Sequence, residues 1–197
     1  MPVTTIEASP TVLTDCAQGI LLACLEGLTD AGVDAPSRRF CEAGAAVSYD
    51  TAWLNSSGCE MLVVAPANPA VTGVTRGRPS GQAGTVTIST AAKLLTARYT
   101  VHVAVCYPPA QKSGAPKPDK IEEAGERLWS VAFSARRGVA KCGASLHENT
   151  GWTPLVQLIP GADPRATRVE FSEVGDLVSY GPAGGVVAAT WSVALRI

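Results

Sequence analysis

The chain has 197 residues, with 46% apolar and 17% charged side chains and a net charge of −1. That length fits one domain, residues 1–197, with apolar content enough for a sizeable core. The near-neutral balance, without a basic stripe, argues against direct nucleic-acid binding, and no apolar run approaches the ~18–20 residues of a bilayer span.

The opening MPVTTIEASP lacks the basic region and apolar core of a signal peptide, so synthesis in the cytoplasm is expected. Six cysteines, Cys16, Cys24, Cys41, Cys59, Cys106 and Cys142, are scattered without zinc-ligand spacing. They read as buried or half-buried thiols rather than disulfides, because a cytoplasmic chain is held reduced. No metal site is expected.

Ser9-Pro10 supplies a cap and a first-turn proline for a helix. Val12, Leu13, Cys16, Ala17, Ile20, Leu21, Cys24, Leu25 and Leu28 then recur at helical spacing, and Gly32 is placed to end it. In the connection that follows, Arg38-Arg39 could contact an acidic partner surface. Ala46-Val47-Ser48-Tyr49 reads as a short strand. After the turn signal Asn55-Ser56-Ser57-Gly58, the run from Cys59 reads as a strand stopped by Pro66. Residues 66–85 hold four Gly, three Pro and the charged cluster Arg76-Gly77-Arg78. A loop this long inside a domain is usually functional. It reads as a projecting loop or hairpin arm that docks on another subunit, with a disordered surface loop as the alternative.

Val86 and Ile88 suggest further sheet, and Tyr99, Val101, Val103, Val105 and Tyr107 share one face of a strand that Pro108-Pro109 ends. His102 lies on the other face with Thr100, Ala104 and Cys106. Residues 108–118 form a proline-bearing polar loop. Asp119 is read as the cap of a second helix reaching about Gly143, with Ile121, Ala124, Gly125, Leu128, Val131, Ala132, Ala135 and Val139 inward. Gly138 marks either a close approach or a break. Candidate strands follow at residues 155–159, 167–171 and 176–180. The turn cluster Gly181-Pro182-Ala183-Gly184-Gly185 then opens an alternating run. Val187, Ala189, Trp191, Val193, Leu195 and Ile197 share one face and Val186, Ala188, Thr190, Ser192, Ala194 and Arg196 the other. Its apolarity makes it a central strand. The order of elements gives an α+β fold, a largely antiparallel or mixed sheet packed against two main helices.

Nothing in this pattern assembles a catalytic set. The two histidines, His102 and His147, neighbour no nucleophile motif, with His147 in the turn-like SLHENTG. A Cys106–His147 hydrolase pair stays a remote alternative. No dinucleotide or phosphate-loop fingerprint occurs. The expectation is a non-enzyme without catalytic residues, metal or cofactor.

Three blocks carry a resemblance. The first is Arg39-Phe40-Cys41 with Val47-Ser48-Tyr49-Asp50 and residues 58–66. The second is the strand over residues 101–108, its proline-bearing loop and the helix from Asp119. The third is Gly181-Pro182-Ala183-Gly184-Gly185 leading into the last strand. In order and spacing they resemble the tail-terminator and head-to-tail joining (neck) proteins of long-tailed actinobacteriophages, siphoviruses. Members often carry Cys after the glycine pair, where this chain has Val186.

The resemblance implies a structural virion protein without enzymatic activity. It would be a subunit of a homo-oligomeric ring, commonly a hexamer, that caps the tail tube and binds the head connector or stopper protein. DNA would pass through the lumen without specific binding, and no membrane is involved. The terminator is the first expectation and a head–tail adaptor or stopper the alternative. Candidate interface residues are Arg38, Arg39, Arg76, Arg78, Gly181, Pro182, Gly184 and Gly185.

Overall fold

The alternating run after Gly185 forms β6 (Val186–Arg196), and β6 lies inside the sheet. The computed structural model describes residues 10–42, 58–71, 95–109, 114–148, 170–183 and 185–196. Their other elements are α1 (Pro10–Asp30), β1 (Arg38–Cys41), β2 (Met61–Val71), β3 (Leu95–Cys106), α2 (Pro118–Glu148), β4 (Glu170–Val174) and β5 (Val178–Ala183). The strands make a six-stranded mixed sheet in the order β1-β2-β3-β6-β4. β1 runs parallel to β2 and every other pairing is antiparallel. This is the expected α+β class.

One edge of β6 pairs with β3 along its whole length. The other is shared, with β4 opposite residues 193–196 and β5 opposite residues 186–190. Period-two alternation sorts the side chains as the sequence reading has it. Ala189, Trp191, Val193 and Leu195 join Leu62, Val64, Tyr99, Val101 and Val103 on the face covered by both helices. Val186 and Ala188 join Met61, Val63 and Ala104 in a smaller cluster on the opposite face, with Phe40 and Cys59 against it. Burying each Val- or Leu-sized side chain contributes about 1.5–3 kcal/mol, so the helix-covered face carries most of the stability.

The ends of α1 and α2 follow from local chemistry. Gly32 sits at φ 64°, the Gly32 N–H donates to Thr29 O and the Val33 N–H to Leu28 O at 2.9 Å. This paired closure satisfies orphan carbonyls and needs a residue that tolerates positive φ. α2 differs from the expectation at both ends. Lys117 O accepts the first amide bonds, so Pro118 occupies the first helical position and Asp119 adds its charge to the first turn. At the far end α2 passes Gly143 to Glu148, which puts His147 in the last helical turn rather than a loop.

Gly138 does not break α2; it is a crossing point with α1 at Gly27. Ile121, expected inward, is 37% exposed. It precedes Ala124, the first buried position of α2.

Three strand expectations need correction. Pro66 does not stop β2, which continues through Pro66 and Pro69 to Val71. Among the described residues β1 ends at the Cys41–Val64 pair and Pro66 pairs only with Tyr99 of β3, an edge position that tolerates its missing N–H. Gly181-Pro182-Ala183 belongs to β5 rather than to the turn, because the ladder slips between Tyr180 and Ala183 and an irregularity accommodates proline. The strands expected at 167–171 and 176–180 lie at Glu170–Val174 and Val178–Ala183. The Ser9 cap, the strand at 46–49, sheet at 86–88 and the strand at 155–159 fall outside the described residues.

Candidate functional site

The register places two candidate sets at one end of the sheet and on opposite edges. Arg38 pairs with Met61, Met61 with Ala104, Ala104 with Ala188 and Ala188 with Tyr180. This row crosses five strands, about 19 Å at ~4.8 Å per spacing. Arg38 and Arg39 stand on the β1 edge, Arg38 half-buried and Arg39 exposed. On the β5 edge Gly181, Pro182 and Gly185 are exposed. Gly185 holds φ 80°, and its carbonyl accepts from the Tyr107 N–H at 2.9 Å, tying the turn to the end of β3.

Arg76, Arg78 and Gly184 lie outside the described residues, as does most of the 66–85 arm. The paired strands leading toward that arm end at Val71 and Leu95, the other end of the sheet. Arg196 of β6 pairs with Thr96 at this far end too. About ten residues separate the two ends along β2, roughly 33 Å. The described candidates divide between the β1 and β5 edges rather than converging on one site.

A cleft of about 480 Å³ opens beside the β3 end, lined in part by Glu60, Cys106, Tyr107, Lys120, Glu123 and Arg127. Its charges are engaged with one another. Arg127 Nε donates to Glu60 Oε1 at 2.9 Å and Nη2 donates to Glu60 Oε2 at 2.8 Å, a two-pronged pair, while Nη2 also reaches Asp34 O. Lys120 pairs with Glu123 one turn along α2. This arrangement fastens α2 to the start of β2 and to the segment after α1, and it leaves little uncompensated charge to select a ligand.

Cys59 and Cys106 form a disulfide with Cα atoms 5.0 Å apart, which corrects the expectation of six thiols. The cause is register: Met61 faces Ala104, so two residues outward Cys59 faces Cys106 across the same antiparallel pair. The remaining four, Cys16, Cys24, Cys41 and Cys142, are thiols outside any disulfide. Burial pushes the Cys16 thiol up to about 12 and Cys41 and Cys142 up to about 11, and raises Cys24 further. Such groups are poor nucleophiles near neutrality. Cys106, proposed partner of His147 in a hydrolase, has its sulfur bonded to Cys59. His102 sits mid-strand between Val63 and Thr190, and burial lowers its pKa.

One surface escaped the sequence reading. Trp129 and Phe133 stack on α2 with ring centroids 5.5 Å apart, and they are 37% and 58% exposed. The signal was present in the helical spacing. These large residues fall off the arc defined by Leu128, Val131, Ala132, Ala135 and Val139, which identifies them as outward. Val178 and Tyr180 on β5 are also exposed, with Tyr180 Oη near Thr190 Oγ1. No protein-family model matches this sequence, and a search of curated proteins finds no match either.

Proposed function

We propose that the chain is a structural subunit of a siphovirus neck, the tail terminator, which forms a ring, commonly a hexamer, that caps the tail tube and meets the head connector. The observation that supports this reading is the contiguity of the segments that carry the resemblance. Their described parts are separated in sequence yet contribute to β1, β2, β3, β5 and β6, strands of one sheet. The Tyr107–Gly185 hydrogen bond joins the second block directly to the third.

The placement of the candidate interface residues suits a ring. A closed ring of identical subunits uses head-to-tail contacts, in which one patch meets a different patch on the neighbour. Arg38 and Arg39 on the β1 edge and Gly181, Pro182 and Gly185 on the β5 edge are two such patches. DNA passing the lumen would meet a chain of net charge −1, which does not retain it.

The test is deletion of the gene in a phage that encodes it, followed by electron microscopy of the particles. Overlong tails are expected, since an uncapped tube continues to polymerise. Unattached tails of normal length would assign the chain to the adaptor or stopper class instead. Infectious particles with normal tails would overturn the neck assignment.

A further inference from the structure

We propose that the outer face of α2 is a self-complementary contact surface that pairs two copies of this chain through antiparallel α2 helices, with Phe133 on the two-fold axis. The exposed stripe of α2 runs Glu122, Glu126, Trp129, Phe133, Arg137 and Ala140. At 100° per residue these positions fall within an arc of about 80° on the side away from the core. Large aromatic side chains on such a face are unusual unless something covers them. The charges along the stripe specify what does.

Phe133 stands fifteen residues from each end of the helix. Acidic side chains occupy the stripe before it and Arg137 occupies the stripe after it. Among the described residues Glu122, Glu126 and Arg137 take part in none of the ion pairs, which involve Lys120, Glu123, Arg127, Glu60, Lys141 and Asp30. When a second α2 is laid antiparallel and centred on Phe133, each Phe133 meets its own copy. Trp129 then faces Arg137 of the other copy, a cation over an aromatic ring. Glu126 lies about 4.5 Å further along the axis, within reach of that same guanidinium.

A parallel pairing would place Glu126 beside Glu126 and Arg137 beside Arg137, so charge selects the antiparallel arrangement. The small Ala140 opposite Glu126 lets the helices approach. A two-fold contact pairs a patch with itself and is therefore distinct from the head-to-tail contact a ring requires. It stands or falls independently of the neck assignment. One helix pair buries less than the ~1,200 Å² of a standard interface, so the dimer is weak and reversible.

Sedimentation velocity of the full chain, from low concentration to about 100 µM, tests this. A concentration-dependent dimer is expected. Phe133→Ser should weaken it at least about tenfold, with an unchanged circular dichroism spectrum because the ring is largely exposed. Glu126→Arg and Arg137→Glu should each weaken association, and the double variant should bind more tightly than either, since the ion pair is restored with its charges exchanged while the cation over Trp129 is lost. In a Phe133→Cys/Cys41→Ser variant, in which the half-buried Cys41 thiol is removed, a short bismaleimide should trap a covalent dimer and nothing larger. A chain that stays monomeric throughout, a dimer indifferent to Phe133→Ser, or a double variant no tighter than the single variants would overturn the proposal.

Discussion

Gly27 of α1 and Gly138 of α2 meet backbone to backbone where the helices cross. A Cβ built on Gly138 would lie 2.2 Å from the Ala23 carbonyl oxygen and 2.8 Å from the Gly27 Cα. Backbone atoms cannot swing aside as a side-chain tip can. Gly138→Ala should therefore separate the helices and lower stability by about 2 kcal/mol net, the overpacking cost exceeding the ~1 kcal/mol that alanine returns in helix propensity. Gly125 lies in the same helix with nothing within 4 Å of its Cβ position. Gly125→Ala should stabilise the fold by about 0.5–1 kcal/mol. Urea unfolding of the two variants should give opposite signs, and a shared sign would sink the crossing-point account.

The cysteines can be counted chemically. In native protein, Cys16, Cys24 and Cys142 are buried with raised pKa values and should resist a thiol reagent, while half-buried Cys41 should react slowly. Unfolding without reductant should release four reactive thiols, and reduction should bring the total to six. Six before reduction would show Cys59 and Cys106 unlinked. The bridge spans a sequence separation of 47, for which chain entropy gives at most about 4 kcal/mol. The Cys59→Ser/Cys106→Ser pair should lose about 2–4 kcal/mol, and a smaller loss would mean the unfolded chain is already compact there.

Much of the sheet could be read from single segments, because burial on one face imposes a period of two. Tyr99, Val101, Val103 and Val105 and the alternation in β6 needed no partner to be assigned. The disulfide needed one. Cys59 and Cys106 become neighbours only once β2 and β3 are paired in a particular register, a long-range property that no local pattern contains. Pro66 misled for a related reason, since its cost depends on whether β1 extends beside it. The interface candidates share that difficulty: Arg38 and Gly185 were legible as unusual residues, but their places on opposite edges follow from strand order alone. The outward Trp129–Phe133 pair is the reverse case, legible from helical spacing without any partner element.

Acidification should act partly through His102. Burial lowers its folded pKa from the ordinary 6.5, so below that value the unfolded chain binds the proton more readily. The stabilisation from keeping His102 neutral is therefore complete above pH 6.5 and is lost as pH falls through the folded pKa. His102→Gln should unfold with a shallower pH dependence in this window. Identical slopes for the variant and the parent chain would exclude His102 as the source.

Arg127 should show the difference between a fork and a point charge. Lysine at this position keeps the charge but cannot bond both Glu60 oxygens and Asp34 O together. Arg127→Lys should cost about 1 kcal/mol in urea unfolding. Lys120→Ala, which removes an exposed pair on one helix turn, should leave the midpoint unchanged. Equal effects from the two changes would mean that the fork does not fasten α2 to β2.

The position of β6 also bears on how the protein is made. β6 is translated after every other described strand, yet it stands between β3 and the shared β4–β5 edge. A chain emerging from the ribosome thus carries β3 with one long edge unfilled until residues 186–196 arrive. Such an edge offers a row of unpaired amides and carbonyls to any other strand nearby, including those on adjacent nascent chains. Closing the sheet around a late central strand depends on non-local pairings and is slow. The placement that locks β6 into the finished molecule makes the moments before its arrival the vulnerable interval of biosynthesis.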